Sequence, residues 1–232
     1  MASVVPARRK FVFEVEAATR RGLRHKTNED AYLVDVEGGL FSVSDGMGGH
    51  RDGNVASNAI VTVLSRTLNP EASFEERIET ATLALKRVNE ALFGPSRDNP
   101  EQDISGATTV SLIVGNGYGC CLWAGDSRLY LMRDENLYLI SEDHAGAGGM
   151  LTRAVGSAPA LETDRRVIAL QPDDLFLLCS DGLLKGMNED ELLAMLTGAA
   201  GGLAERLVAK AVAGGSTDDI TLILVGVGLS DE

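Results

Sequence analysis

Residues Thr108–Ile140 read TTVSLIVGNGYGCCLWAGDSRLYLMRDENLYLI, and this stretch decides the fold. Apolar and β-branched residues fill Thr108–Val114 and Cys120–Ala124, with Asn116-Gly117 between them. An Asn-Gly pair between two such runs is a strong hairpin signal, because the favoured two-residue turn needs positive φ at both positions. Leu129–Met132 and Leu137–Ile140 continue the pattern as a meander of antiparallel strands. Further strands are expected at Val167–Leu170, Leu175–Cys179 and Ile220–Val227. Upstream, Phe11–Ala17 alternates with a period of two, and Gly38-Gly39 separates the β-type runs Ala31–Val36 and Leu40–Ser44.

Helical periodicity is confined to two places. Gly53–Leu68 has no Gly or Pro inside it. In Ser73–Leu92, Phe74, Ile78, Ala81, Leu85, Val88 and Leu92 recur at steps of three and four. Ser73 followed by Glu76 is a capping-box pattern. Gly94–Asp103, polar and with two prolines, reads as a loop. Glu189–Leu196, capped by Asn188, and Leu203–Val212 form the second helical region. Strands and helices are segregated rather than alternating, which predicts an α+β fold with antiparallel sheet covered by helices. No repeat or interdomain linker interrupts the chain, so residues 1–232 are expected to form one domain with a core of about 11–228.

Composition narrows the function. The chain has 232 residues, 44% of them apolar, enough for a real core. Its 34 Asp/Glu against 21 Lys/Arg give a net charge of −13, which argues against nonspecific binding to nucleic acid or an anionic membrane. Arg8, Arg9, Lys10, Arg20, Arg21, Arg24 and Lys26 make residues 1–26 basic by contrast. No stretch is long and apolar enough to span a bilayer, and the first residues lack a signal-peptide core. Three cysteines, two of them adjacent, do not make a disulfide framework and suit a reducing cytoplasm.

The informative acids sit at strand ends beside glycine. Asp45 ends Leu40–Ser44 and precedes Gly46-Met47-Gly48-Gly49-His50. Asp126 follows Ala124-Gly125, Asp181 ends Leu175–Ser180, Asp218-Asp219 precedes a strand, and so does Glu29-Asp30. A lone buried carboxylate is costly and several together repel. A divalent cation removes both problems, and oxygen ligands suit Mg²⁺ or Mn²⁺. Three histidines and three cysteines with no Cys-x-x-Cys or His-x-x-x-His pair are a poor zinc set. A single Asp-Gly at a strand end is more often a turn.

The sequence resembles the PPM family of metal-dependent protein phosphatases, the type 2C serine/threonine phosphatases, in their compact bacterial form. The resemblance rests on Arg24-His25-Lys26-Thr27-Asn28-Glu29-Asp30, Asp45-Gly46-Met47-Gly48-Gly49-His50, Gly106-Ala107-Thr108-Thr109, Ala124-Gly125-Asp126-Ser127-Arg128, Leu151-Thr152-Arg153-Ala154-Val155-Gly156, Cys179-Ser180-Asp181-Gly182-Leu183 and Thr217-Asp218-Asp219-Ile220-Thr221, in family order over nearly the whole chain. It implies an αββα sandwich of two antiparallel sheets flanked by helix pairs. It implies two Mn²⁺ or Mg²⁺ ions, with Asp45 bridging them, the Gly46 carbonyl on one, and Asp181 and Asp218 completing the other. Glu29 and Asp30 would act mostly through metal-bound waters. Arg24 would hold the phosphoryl group, and Asp126 with Asp181 would support a third, weaker ion. The implied reaction is attack of a metal-activated hydroxide on phosphoserine or phosphothreonine in proteins modified by a cognate serine/threonine kinase.

The chain departs from the family at three places. Met47 stands where other members carry a proposed acid, and His50 is the nearby candidate, although hydrogen bonding to the glycine-rich loop is the preferred reading for it. Asp219 replaces the usual Asn after the last metal aspartate, and position favours Asp218 as the ligand. The segment Ala145–Met150 is too short for the family's helix and flap, which predicts an open cleft on that side or one that a partner completes. His144 is read as structural and His25 as exposed. The rival readings are a regulatory module that lost turnover and a hydrolase of small phosphate esters.

Overall fold

The structure is a computed structural model that describes residues 10–23, 25–47, 53–98, 105–146, 148, 150–198 and 201–230, without the side chains of 95–98. Among these residues the order is β1 (Phe11–Arg20), β2 (Asp30–Asp35), β3 (Leu40–Met47), α1 (Gly53–Thr67), α2 (Phe74–Asp98), β4 (Gly106–Ala107), β5 (Thr109–Gly115), β6 (Tyr118–Ala124), β7 (Arg128–Arg133) and β8 (Asn136–Leu139). There follow β9 (Asp164–Ala169), β10 (Leu175–Cys179), α3 (Asp181–Leu184), α4 (Glu189–Thr197), α5 (Leu203–Ala213) and β11 (Ile220–Leu229).

The strands make two sheets of antiparallel neighbours. One has the order β1-β11-β10-β7-β8, the other β2-β3-β5-β6-β9, with β4 paired to β3. Both faces of each central strand are buried, so successive residues serve different cores. Cys120 and Leu122 pack with Ile60, Leu64 and Leu85 of α1 and α2. Cys121 and Trp123 point the other way, into the layer between the sheets with Phe41, Phe176 and Ile223. Leu177, Cys179 and Leu222 meet Leu192, Leu196 and Leu207 of α4 and α5. Three cores separate four layers, the αββα sandwich.

Local chemistry explains the elements. Asn116 and Gly117 both have positive φ, 54° and 82°, as a tight hairpin turn demands. Ser73 and Glu76 close a capping box, each accepting from the other's backbone N–H at 3.3 and 2.9 Å. Asn188 and Glu191 do the same for α4. The loop expected over Gly94–Asp103 begins later, because α2 runs on to Asp98. Pro95 removes one N–H donor, and a long, already nucleated helix continues past a single lost hydrogen bond. The segment Ala145–Leu151 is drawn tight by a bridge between its ends and by the Gly146 N–H donating to the Met150 carbonyl at 2.8 Å.

Candidate active site

The register of the sheets brings the strand-end acids to one end of the sandwich. Asp30 of β2 lies directly opposite Asp45 of β3. Asp181 follows β10 and Asp218 precedes β11, and these two strands pair up to Cys179 and Leu222. Asp126 sits in the turn between β6 and β7. The Asp45 carboxyl feels Asp30, Asp181, Asp126 and Asp218 electrostatically. Part of Asp45 meets solvent, yet burial and then those four acids push it well above the usual carboxylate range.

The neighbours show the same crowding. Burial pushes Asp30 up to about 7, although Ser180 Oγ donates to its Oδ2 at 2.8 Å. Burial, then Asp181, raises Asp126 to about 6. Glu29 is raised too, chiefly by burial. Asp218 goes the other way. Burial would raise it, but the hydrogen bond and charge of Lys185 outweigh burial and hold it low. Lys185 Nζ lies 2.6 Å from Oδ2 of both Asp181 and Asp218.

The choice between Asp218 and Asp219 follows from hydrogen bonding. Asp219 is 3% exposed and its carboxylate is already used. Its Oδ1 accepts the Gly22 N–H at 2.7 Å, and its Oδ2 accepts the Glu29 N–H at 2.7 Å and meets His25 Nδ1 at 2.9 Å. It therefore ties Gly22, His25 and Glu29 to the start of β11, whereas Asp218, which accepts from the Asp219 N–H at 3.0 Å and from the half-exposed Lys185, is the one of the two that acts on Asp45. Burial would lower His25, but the hydrogen bond to Asp219 and the surrounding carboxylates raise it.

The donor set fits hard divalent cations. Asp30 Oδ1 and Asp181 Oδ1 are buried without a hydrogen-bond partner among the described residues, an arrangement that costs free energy unless a cation or water meets them. A side chain at position 46 would collide with the carbonyls of Gly53 and Glu29, so only glycine lets the backbone pass this close to α1 and the 29–30 corner. Among the described residues no three His, Cys, Asp or Glu side chains stand close enough together to hold a metal ion as they are placed. The remaining positions of an octahedral ion would fall to backbone oxygen and water.

The family model described as protein phosphatase 2C matches residues 20–213. The chain belongs to the protein phosphatase 2C family. As a member it is a metal-dependent serine/threonine protein phosphatase. Among its relatives is the serine/threonine phosphatase stp of Listeria monocytogenes, 30% identical over 90% of this chain and 94% of that one. Another is the serine/threonine protein phosphatase PstP of Mycobacterium tuberculosis, 29% identical over 95% of this chain and 46% of that longer one. Two solved structures have the same fold. PppA, described as a key regulatory component of T6SS in Pseudomonas aeruginosa, superposes with a TM-score of 0.87 at 34% identity, over 94% of this chain and 100% of that one. The catalytic domain of PstP in complex with two manganese ions gives 0.82 at 26% identity, over 94% and 100%.

Of the phosphatase residues singled out in the sequence, Glu29, Asp30, Asp45, Gly46, Asp126, Asp181 and Asp218 gather at this end. Arg24 and His50 lie outside the described residues. His144 is structural, as expected: its Nδ1 accepts the Gly125 N–H at 3.1 Å, its Nε2 meets Asp164 at 3.0 Å, and its ring stacks on Trp123. His25 is half-buried rather than exposed, because Asp219 draws it in. Lys185 was not foreseen. Its spacing of four from Asp181 is an ion-pair signal on a helix, but nothing local announces Asp218 as a second partner.

Proposed function

We propose that the phosphatase binds its metals and does its chemistry at this carboxylate end, with the following division of labour. Asp45, the Gly46 carbonyl, Asp181 and Asp218 would hold two Mn²⁺ or Mg²⁺ ions, with Asp45 serving both, Gly46 one, and Asp181 and Asp218 the other. Glu29 and Asp30 would act through waters, and Asp126 with Asp181 would support a third, weaker ion. The observation that carries this reading is the electrostatic convergence of Asp30, Asp126, Asp181 and Asp218 on Asp45. The cations, once bound, make hydroxide available near neutral pH and offset charge on the phosphoryl oxygens.

The protein's own groups do the rest. Lys185 outweighs burial at Asp218 and holds its carboxyl low. Asp219 anchors the loop that carries Arg24, through Gly22 on one side and His25 and Glu29 on the other. Arg24 then meets the phosphoryl oxygens bidentately and orients phosphorus for in-line attack. No covalent enzyme intermediate is required, and the cysteines are unsuited to form one: burial pushes Cys120 up to about 11 and Cys179 up to about 12. The substrates are phosphoproteins, supplied by a serine/threonine kinase of the same compartment. A cytoplasmic setting is supported by these three reduced, buried thiols.

The test is hydrolysis of a phosphothreonine peptide by the purified chain, in chelator and then with added Mn²⁺, beside Asp45→Asn. The expected result is turnover that needs metal and disappears in the variant. Wild-type turnover in Asp45→Asn would remove Asp45 from the metal site.

A further inference from the structure

We infer that Lys185 is a built-in counter-cation of the metal site: its ammonium holds Asp181 and Asp218 together until a divalent cation displaces it, and so sets the metal concentration at which the enzyme loads. This rests on the reading of Asp181 and Asp218 as metal ligands.

Lys185 is placed for this by the turn that follows β10. It is the C-cap of α3, and its backbone N–H donates to the Asp181 carbonyl at 3.1 Å. One helical turn separates the two residues, so the lysine side chain folds back over Asp181. Asp218 arrives from the other side, thirty-three positions on in the chain, at the head of β11. The ammonium lies 2.6 Å from an oxygen of each, short enough for two charge-assisted hydrogen bonds. Two carboxylates facing one another carry two negative charges, and one ammonium cancels half of that.

The same two oxygens are those a cation would need at ~2.1 Å. An ammonium and a divalent ion compete for them, because two positive charges held within a few ångströms of the same oxygens repel each other. The exchange is mechanically simple. Lys185 is 44% exposed and rides on a flexible four-carbon stem, so its head can move to solvent without disturbing the core. Asp181 Oδ1 takes no part in the lysine contact and is buried and unpartnered among the described residues, so it is left free for a cation. Lys185 also acts on Asp126 electrostatically, so the exchange is felt there too. The enzyme thus keeps its metal carboxylates paired while it waits for metal, and exchanges one internal charge for an external one as it loads.

The experiment compares the full chain with Lys185→Met, which keeps the stem and removes the charge. Mn²⁺ binding is measured by calorimetry after stripping with chelator, and thermal unfolding is followed in chelator and in saturating Mn²⁺. The weakest resolved Mn²⁺ step is expected to tighten about tenfold in Lys185→Met, ~1.4 kcal/mol. Its melting temperature is expected to fall below wild type in chelator, with the gap closed by Mn²⁺. Equal or weaker Mn²⁺ binding in the variant, with wild type binding normally, overturns the proposal and leaves the metal ligands standing. A wild-type chain that binds no Mn²⁺ overturns the ligand reading and the proposal with it. If Lys185→Met does not fold, side-chain NMR of Lys185 in the wild type, titrated with Mg²⁺, decides. A shift of its signals as the sites fill supports displacement, and unmoved signals refute it.

Discussion

At the start of β3 a buried cation is held by three backbone carbonyls, with only its Nε unpartnered among the described residues, and at its finish buried anions crowd one another. Arg77, 5% exposed, donates to the carbonyls of Val114, Gly38 and Gly39 beside Leu40. Five residues along the same strand, about 16 Å away at ~3.3 Å per residue, Asp45 faces four other acids. Strand β10 repeats the contrast. Before it, Asp174 accepts two hydrogen bonds from Arg133 at 2.7 Å each and a third from the Gln171 N–H at 2.8 Å. After it, Asp181 keeps one oxygen unpartnered among the described residues. One end of the sandwich spends its charges on holding the fold. The other leaves one oxygen each of Asp30 and Asp181 unpartnered among the described residues and pairs Asp181 and Asp218 only with a half-exposed lysine, which is what a site for an exchangeable cation requires.

The sharpest break of that contrast is Asp45→Asn. Turnover on a phosphopeptide should fall about a thousandfold or more, as several kcal/mol of transition-state stabilisation is lost. In chelator above neutral pH the same variant should melt higher than wild type, because a buried carboxyl that four acids hold against ionisation has gone; a lower melting temperature would mean that Asp45 has a structural partner. Arg133→Ala should do the opposite. It strands the buried Asp174 and should cost about 3 kcal/mol in denaturant unfolding, while kcat/KM is unchanged. A large loss of kcat/KM would show that the two ends are coupled.

A pH series sharpens the comparison further. Burial raises Asp30 to about 7 and Asp126 to about 6 when no cation lies beside them. A carboxyl raised on folding stabilises the protein below its unfolded value, and that contribution is lost as pH rises through the folded one. In chelator, the melting temperature should therefore fall between about pH 4 and about pH 7. Saturating Mn²⁺ should flatten or reverse the fall, since metal binding favours the deprotonated acids. An equal slope with and without Mn²⁺ would place these acids away from the metal. The smallest effect belongs to the end that holds the fold. Ser73→Ala removes the cap one turn before Arg77 and should cost about 1 kcal/mol of stability with no change in KM.

How much of this could be read in the chain depends on how local each cause is. The hairpin at Asn116-Gly117, the cap at Ser73 and the cap at Asn188 are set by neighbours within four residues, and each appears in the structure as its residues dictate. Strand β4 has two residues and exists because Gly46 and Met47 offer it an edge, so no periodicity could announce it. The extension of α2 through Pro95 was hidden for the converse reason: the local signal for a loop is outweighed by the helix before it. At the site, the acids stood out because strand ends and glycines mark them. Which of Asp218 and Asp219 faces inward did not, because the answer lies in the backbone N–H groups of Gly22 and Glu29, nearly two hundred positions away. Lys185 was invisible for the same reason.

The three cysteines have a use that does not concern phosphate at all. Cys120 lies in the core under α1 and α2, Cys121 in the core between the sheets, and Cys179 in the core under α4 and α5. All three are sealed from solvent, and burial keeps their thiols protonated. An alkylating reagent can therefore reach each only when its own layer opens. The chain carries one native chemical reporter per layer, and the order in which the three are labelled would trace how the sandwich comes apart.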